Sequence, residues 1–257
     1  ERELEEKYGL PEALIAVPAY EQSSDQEVAF QAVDYILRVL KKNMVFGMTW
    51  GRAMHEFVEQ LAKDERLRSL SFQNVKVVPF LGTPGAIQSD SWNTTTYSNT
   101  LATKVGNLLH CASYNLSAPM YVEGTKEKEL IESIDEIAKV LHMAETADIA
   151  LIGIGSMQDD SSIIKAEIRT KEEYKELVRK GAVGEIVGRI YDKNGQTVDE
   201  YLKRKMVGIS LDKIAKIPVR VGMSYGKDKI EAIKGAIAGG LVNVLVTDVP
   251  TAELLLK

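Results

Sequence analysis

One cysteine, three histidines and two tryptophans among 257 residues are a sparse supply of reactive side chains, and each scarcity removes a class of function. The single Cys111 excludes an internal disulfide framework and fits a reducing, cytoplasmic setting. It lies in a helix-like segment beside His110, where a small buried hydrophobe is its simplest role. His55, His110 and His142 stand far apart without metal-ligand spacing, so no metal is expected. No apolar run reaches the ~18 residues of a membrane span, and the opening Glu1-Arg2-Glu3-Leu4-Glu5-Glu6-Lys7 is no signal peptide. Neither a Gly-x-Ser-x-Gly elbow nor a Walker loop is present. Positive charge is also short: 32 Lys and Arg against 37 Asp and Glu leave a net charge of −5. Without a dense basic stretch, the chain alone is a poor partner for a row of phosphates. It does not begin with Met, and a further module is expected upstream.

What the sequence has instead is alternation. Apolar, β-branched runs at 14–17, 44–46, 75–81, 149–154, 206–209, 219–222 and 242–246 suit parallel strands covered on both faces. Between them, residues 26–42 place Val28, Ala29, Ala32, Val33, Ile36, Leu37 and Leu40 on one helical stripe. Residues 127–143 and 228–238 repeat that spacing. Such alternation predicts βαβ units and a doubly wound α/β sheet forming one domain over 1–257. Asn194-Gly195 after Ile190-Tyr191-Asp192 predicts a small inserted hairpin. The stretch 82–98, rich in Gly, Ser, Asn and Thr, has no apolar period and predicts a long functional loop.

Four constellations are candidates for chemistry. Gly47-Met48-Thr49-Trp50-Gly51-Arg52 follows a strand and opens a helix, so its backbone amides, the Thr49 hydroxyl and Arg52 suit an anion. A tight βα turn needing glycines for geometry alone accounts for the same spacing equally well. Gly153-Ile154-Gly155-Ser156 resembles the start of a dinucleotide fingerprint, but the third glycine is missing near Asp159, so no nicotinamide or other cofactor is expected. Asp159 and Asp160 read as a solvated loop. Gly181-Ala182-Val183-Gly184-Glu185-Ile186 lets the chain pass close to a ligand whose hydroxyls would donate to Glu185, although on the residues alone a plain glycine turn entering a strand is the better explanation. Lys229, in Tyr225-Gly226-Lys227-Asp228-Lys229, sits at a helix start, where a cation is disfavoured unless an anion is near or water solvates it. Trp50 and Trp92 line a pocket or are merely buried. Loops after parallel strands gather at the carboxyl edge of an open sheet, which raises the binding reading of all four.

At these residues the chain resembles the SorC family of bacterial sugar-responsive transcriptional regulators. The pattern is carried by residues 181–195, by Met206-Val207-Gly208-Ile209-Ser210-Leu211, by Lys229-Ile230-Glu231-Ala232-Ile233 and by Asn243-Val244-Leu245-Val246-Thr247-Asp248 with Thr251-Ala252. Residues 4–10, Thr49-Trp50-Gly51-Arg52 and Asn99-Thr100 extend it over essentially the whole chain. The resemblance implies a Rossmann-like, three-layer αβα domain akin to sugar-phosphate isomerases and deaminases, and a phosphorylated sugar as effector. It implies a phosphate on the loop Gly47 to Arg52, an acid at Glu185 for hydroxyls and Lys229 near the ligand; Gly82, Asn99 and Gly155 are assigned to the same site. It implies an N-terminal helix-turn-helix for operator DNA, absent from this chain, and a homo-oligomer, dimer or tetramer. It implies a sensor and not an enzyme, with an isomerase or deaminase as the alternative. One relative in the family holds its effector through a Lys Schiff base. The matching stretch here, Tyr97-Ser98-Asn99-Thr100, has no Lys, so reversible binding is expected. Gly222-Met223-Ser224-Tyr225-Gly226 departs from the Ala-Gly-Gly common among relatives, which alters ligand fit.

Overall fold

Successive residues of an extended chain point to opposite faces, so a run that is apolar throughout asks for cover on both sides. The computed structural model, which describes residues 1–17, 24–84, 94–159 and 161–257, meets that demand. Trp92, Asp160 and residues 85–93 of the polar stretch lie outside the described residues. The strands are β1 (Glu12–Ala16), β2 (Val45–Met48), β3 (Lys76–Pro79), β4 (Ala112–Ser113), β5 (Ile149–Gly153), β6 (Gly155–Ser156), β7 (Ala182–Ile186), β8 (Arg189–Asp192), β9 (Val219–Met223) and β10 (Val244–Asp248).

Seven of them form one parallel sheet in the order β1-β10-β9-β5-β2-β3-β4. On one face Phe46, Met48, Ile149, Leu151, Val221 and Val246 pack beneath helices Ser24–Val39, Arg52–Leu61 and Ser98–Leu108. On the other, Val78, Ala150, Ile152 and Leu245 meet helices Arg2–Tyr8, Ile230–Ala238 and Val249–Leu256. The result is the expected doubly wound αβα sandwich. From β2 the chain builds outward through β3 and β4, then returns to lay β5 on the other flank of β2 and builds outward again through β9 and β10. The crevice between β2 and β5 is therefore the switch point where such sheets bind ligands.

A second, antiparallel sheet of β6, β7 and β8 starts one residue after β5. Its hairpin turns at Val187-Gly188, both left-handed (φ 54° and 68°), the geometry that matches strand twist but is strained for a β-branched residue. The predicted Asn194-Gly195 turn is present downstream. There Asp192 Oδ1 accepts from the Asn194 and Gln196 amides at 2.9 Å each, and Tyr191 bridges Thr197. This small sheet packs almost backbone to backbone on helix Ile230–Ala238. A Cβ on Gly184 would stand 2.7 Å from that of Ala232, one on Gly235 would be 2.8 Å from the Asp192 carbonyl, and one on Gly195 would be 2.5 Å from Gly239 Cα.

Two sequence expectations are corrected. The run 206–209 is no sheet strand: Met206 and Gly208 form only isolated bridges to Tyr121 and Leu81. The run is apolar because it is buried, and Gly208 (φ 146°) presses on the Phe80 and Leu81 backbone. The helix expected over 127–143 is two helices, Thr125–Glu132 and Asp135–Glu145. Leu130 and Ile134, counted on its buried stripe, are 69% and 49% exposed.

Gly47, expected to head an anion loop, is an interior residue of β2, in register with Val78 and Ala150. Its backbone faces neighbouring strands on both sides, and a Cβ there would lie 2.0 Å from Phe80 Cε1. Its glycine makes room for a ring. Gly47→Ala is expected to cost about 1–3 kcal/mol in urea unfolding through overpacking; an unchanged midpoint would show that Phe80 yields freely.

Candidate functional site

At the carboxyl ends of β2, β5 and β9 the chain leaves a cleft of about 420 Å³, within the range of small-ligand sites. Each strand sends its following loop into the wall: Trp50 to Ala53 after β2, Gly155 and Ser156 after β5, Ser224 to Gly226 after β9. Glu185 of β7 and Lys229 complete the interior, and Asp25, Gln158 and Ser161 border it.

The β2 side is built for an anion. Helix Arg52–Leu61 starts at Gly51, whose φ of 104° suits only glycine, and among the described residues no side chain caps it. Its first intrahelical bond is His55 N–H to Gly51 O at 3.0 Å, so the amides before that bond lie outside the ladder at the positive end of the helix. The loop itself is pinned, because Gly51 N–H donates to Thr96 O at 3.0 Å. Thr49 holds the strand ends together: its N–H donates to Leu151 O and its Oγ1 accepts from Gly153 N–H, both at 3.2 Å.

The opposite side is built around a carboxylate. Glu185 is 6% exposed and accepts from Gly188 N–H at 2.5 Å and from the Trp50 indole, with the Lys229 ammonium nearby. Burial raises its pKa above the ordinary carboxylate range, against the lowering effect of those three partners. Gly155 lies opposite Glu185 in the β6–β7 register, and a Cβ on it would come 2.7 Å from Oε2. Lys229 ends the turn Lys227–Lys229, its N–H donating to Gly226 O at 3.0 Å, and leads into helix Ile230–Ala238.

Of the residues expected at the site, Trp50, Gly51, Arg52, Gly155, Glu185 and Lys229 line one cleft. Gly47, Thr49, Gly82 and Asn99 are not among its described walls. Gly82 packs against the Ala118 and Pro119 carbonyls and donates to Val207 O. Asn99 spends its amide on Thr83 Oγ1, Leu116 O and Leu116 N–H at 2.7, 3.0 and 2.9 Å, which clamps the loop. Sequence reasoning missed Asp25 altogether and named Tyr225 only within the turn before Lys229 and the departure at 222–226. Tyr225 donates its phenol to Asp25, and burial pushes the phenol pKa well up. No spacing rule links residues so far apart in the chain. Cys111 is half-buried with its thiol pushed up to about 11 by burial, and no metal-binding cluster exists among the described residues.

The family model described as "Putative sugar-binding domain" matches residues 1–257. The sorbitol operon regulator of Klebsiella pneumoniae is 30% identical over 261 residues, covering 100% of this chain and 79% of that protein. The deoxyribonucleoside regulator of Bacillus subtilis (strain 168) is 25% identical, covering 99% and 78%. The solved full-length sorbitol operon regulator SorC from Klebsiella pneumoniae aligns with a TM-score of 0.87 at 28% identity, over 100% of this chain and 80% of that one.

The raised pKa of Glu185 has a sign. The folded chain takes up this proton more readily than the unfolded chain, whose Glu titrates near ~4.3. The contribution is fully present below that value and is lost as pH rises through the folded pKa. Glu185→Gln is therefore expected to flatten the fall of Tm between pH 4.5 and neutrality. Parallel Tm–pH curves for the two proteins would assign that slope to other groups.

Proposed function

The chain belongs to the sugar-binding domain family of SorC-type transcriptional regulators, and from that premise we propose that its cleft binds a phosphorylated sugar as a regulatory effector. The observation that carries this reading is the pairing, within one cleft, of a helix start whose cap residue is a glycine with a buried acid. A phosphate takes hydrogen bonds from the amides that open helix Arg52–Leu61 and charge from Arg52. Glu185 accepts hydrogen bonds from sugar hydroxyls, and Lys229 lowers its pKa against the raising effect of burial. Lys229 already faces Glu185, and the stretch 97–100 holds no Lys, so binding is reversible.

The regulator reading extends to the rest of the working protein. An upstream helix-turn-helix contacts operator DNA, the chain assembles as a dimer or tetramer in the cytoplasm, and effector binding alters the spacing of the DNA-binding heads. Its relatives carry the names of regulators, which supports a sensor. A buried acid with a raised pKa is also what an isomerase or deaminase on this fold would use. Incubation with sugar phosphates separates the two: a sensor leaves them unconverted over hours.

Thermal shift tests the ligand class. A sugar phosphate at ~100 times its Kd should add about 2.7 kcal/mol. For a chain of this length that is a rise of roughly 5–10 °C in Tm. Free sugars that stabilise as strongly as their phosphates would overturn the placement of the phosphate at residues 51–53.

A further inference from the structure

Trp50 is buried on the opposite face of the sheet from the helix it introduces. Helix Arg52–Leu61 packs Met54, Phe57, Val58 and Leu61 into the core on one face. Trp50, just before that helix, is 6% exposed within the core on the other face, which also holds Ile154, Ile186 and Val187. The chain crosses between the two at Gly51, whose φ of 104° permits the turn and whose N–H is held by Thr96 O at 3.0 Å. From there the indole donates to Glu185 on β7. Glu185 is in turn held by the Gly188 N–H on Oε1 at 2.5 Å, and Gly155 packs so closely that a Cβ on it would lie 2.7 Å from Oε2. The residue that grips the acid is therefore the covalent neighbour of Gly51, at the head of the helix start that lines the same cleft.

We propose that Trp50 is a positioning residue that sets the separation between the phosphate seat at residues 51–53 and Glu185, so that the cleft selects among positional isomers of a sugar monophosphate. This rests on the phosphorylated-sugar reading given above. A phosphate on the helix start anchors one end of the ligand, and the sugar then satisfies Glu185 only if a hydroxyl lies at the distance Trp50 imposes. An isomer phosphorylated on another carbon takes the same seat but leaves the buried carboxyl without that donor. A polar group left unpaired in a buried site rejects a ligand more strongly than a small change of apolar bulk does. The indole suits this task, because it offers a single donor on a rigid ring and satisfies Glu185 from one place only. The other donors to Glu185 do not fix this distance. The Gly188 amide belongs to the same small sheet as the acid, and Lys229 enters from the turn before helix Ile230–Ala238.

The test is isothermal titration of the full chain with positional isomers, the 1- and 6-phosphates of glucose, fructose and mannose and the 1- and 5-phosphates of ribose. The free sugars and inorganic phosphate are titrated alongside. In at least one pair the two isomers are expected to differ by about tenfold or more in Kd. Trp50→Phe keeps an aromatic ring in the core and removes the N–H, and it should bring that pair within about threefold. Its affinity for inorganic phosphate should stay within about twofold of the native value, a separation that general damage to the fold would not produce. Pairs that bind the native chain equally overturn the proposal and leave the phosphorylated-sugar reading intact, a result that depends on no variant folding. Discrimination that survives in a folded Trp50→Phe chain overturns it too, as does an equal loss of inorganic phosphate binding. If no phosphate binds more tightly than its free sugar, the underlying reading falls and the proposal with it.

Discussion

A carboxylate taken almost entirely out of water must be given donors, and much of the architecture around the cleft supplies them to Glu185. Each partner comes from a different part of the chain: the Gly188 amide from the hairpin, the indole from the loop after β2, the ammonium of Lys229 from the turn before helix Ile230–Ala238. Gly155 contributes by having no side chain. The Gly188 amide is aimed at the carboxylate by a turn that holds Val187 in a left-handed conformation, a strain on the order of 1–3 kcal/mol. The next residue helps to hold that turn. Arg189 is buried and donates through Nη2 to Met206 O and Gly208 O at 3.1 Å each. Burial lowers its pKa only to about 10, so it remains a cation at neutral pH. The acid thus exists as a functional group only once segments spread over more than half the chain have come together.

A ligand in this cleft joins the two faces of the sheet. Residues 50–53 enter a helix packed on one face, while Lys229 enters a helix packed on the other, with β2, β5 and β9 between them. The small antiparallel sheet that carries Glu185 hangs from β5 through the single residue Ile154. A fold shared with enzymes says little about activity. The distinguishing features here are local: a helix start headed by glycine, a carboxylate kept dry, and a tyrosine tied to an acid at the rim.

The sheet was legible in the sequence because burial on both faces writes itself as unbroken apolar runs, as in residues 149–154 and 242–246. The same logic misled at 206–209, which is apolar from burial yet forms no ladder, and at Leu130 and Ile134, where a helical period continues across a break at Ser133. The candidate site was half legible. Glu185, Lys229 and the Trp50-Gly51-Arg52 turn stood out through glycine spacing and resemblance. Spacing does not distinguish a glycine that meets a ligand from one that meets a phenylalanine, and Gly47 proved to be the second kind. Asn99 has the chemistry of a sugar contact but spends it on Thr83 and Leu116. The Asp25–Tyr225 hydrogen bond joins a helix start to the loop after β9, which only the folded sheet brings together, so no local pattern announces it.

The contact between the small sheet and helix Ile230–Ala238 works as a spacer of fixed thickness. Gly195 and Gly239 each fill the space the other's Cβ would need; Gly184 on the sheet is hemmed in by Tyr191 and Ala232, and Gly235 on the helix by Asp192 and Val183. Neither surface can acquire a side chain at these positions unless the two backbones move apart. The spacing between Glu185 on one element and Lys229 leading into the other is thereby set by backbone contact, and any thickening of the seam would pry the acid and the base apart.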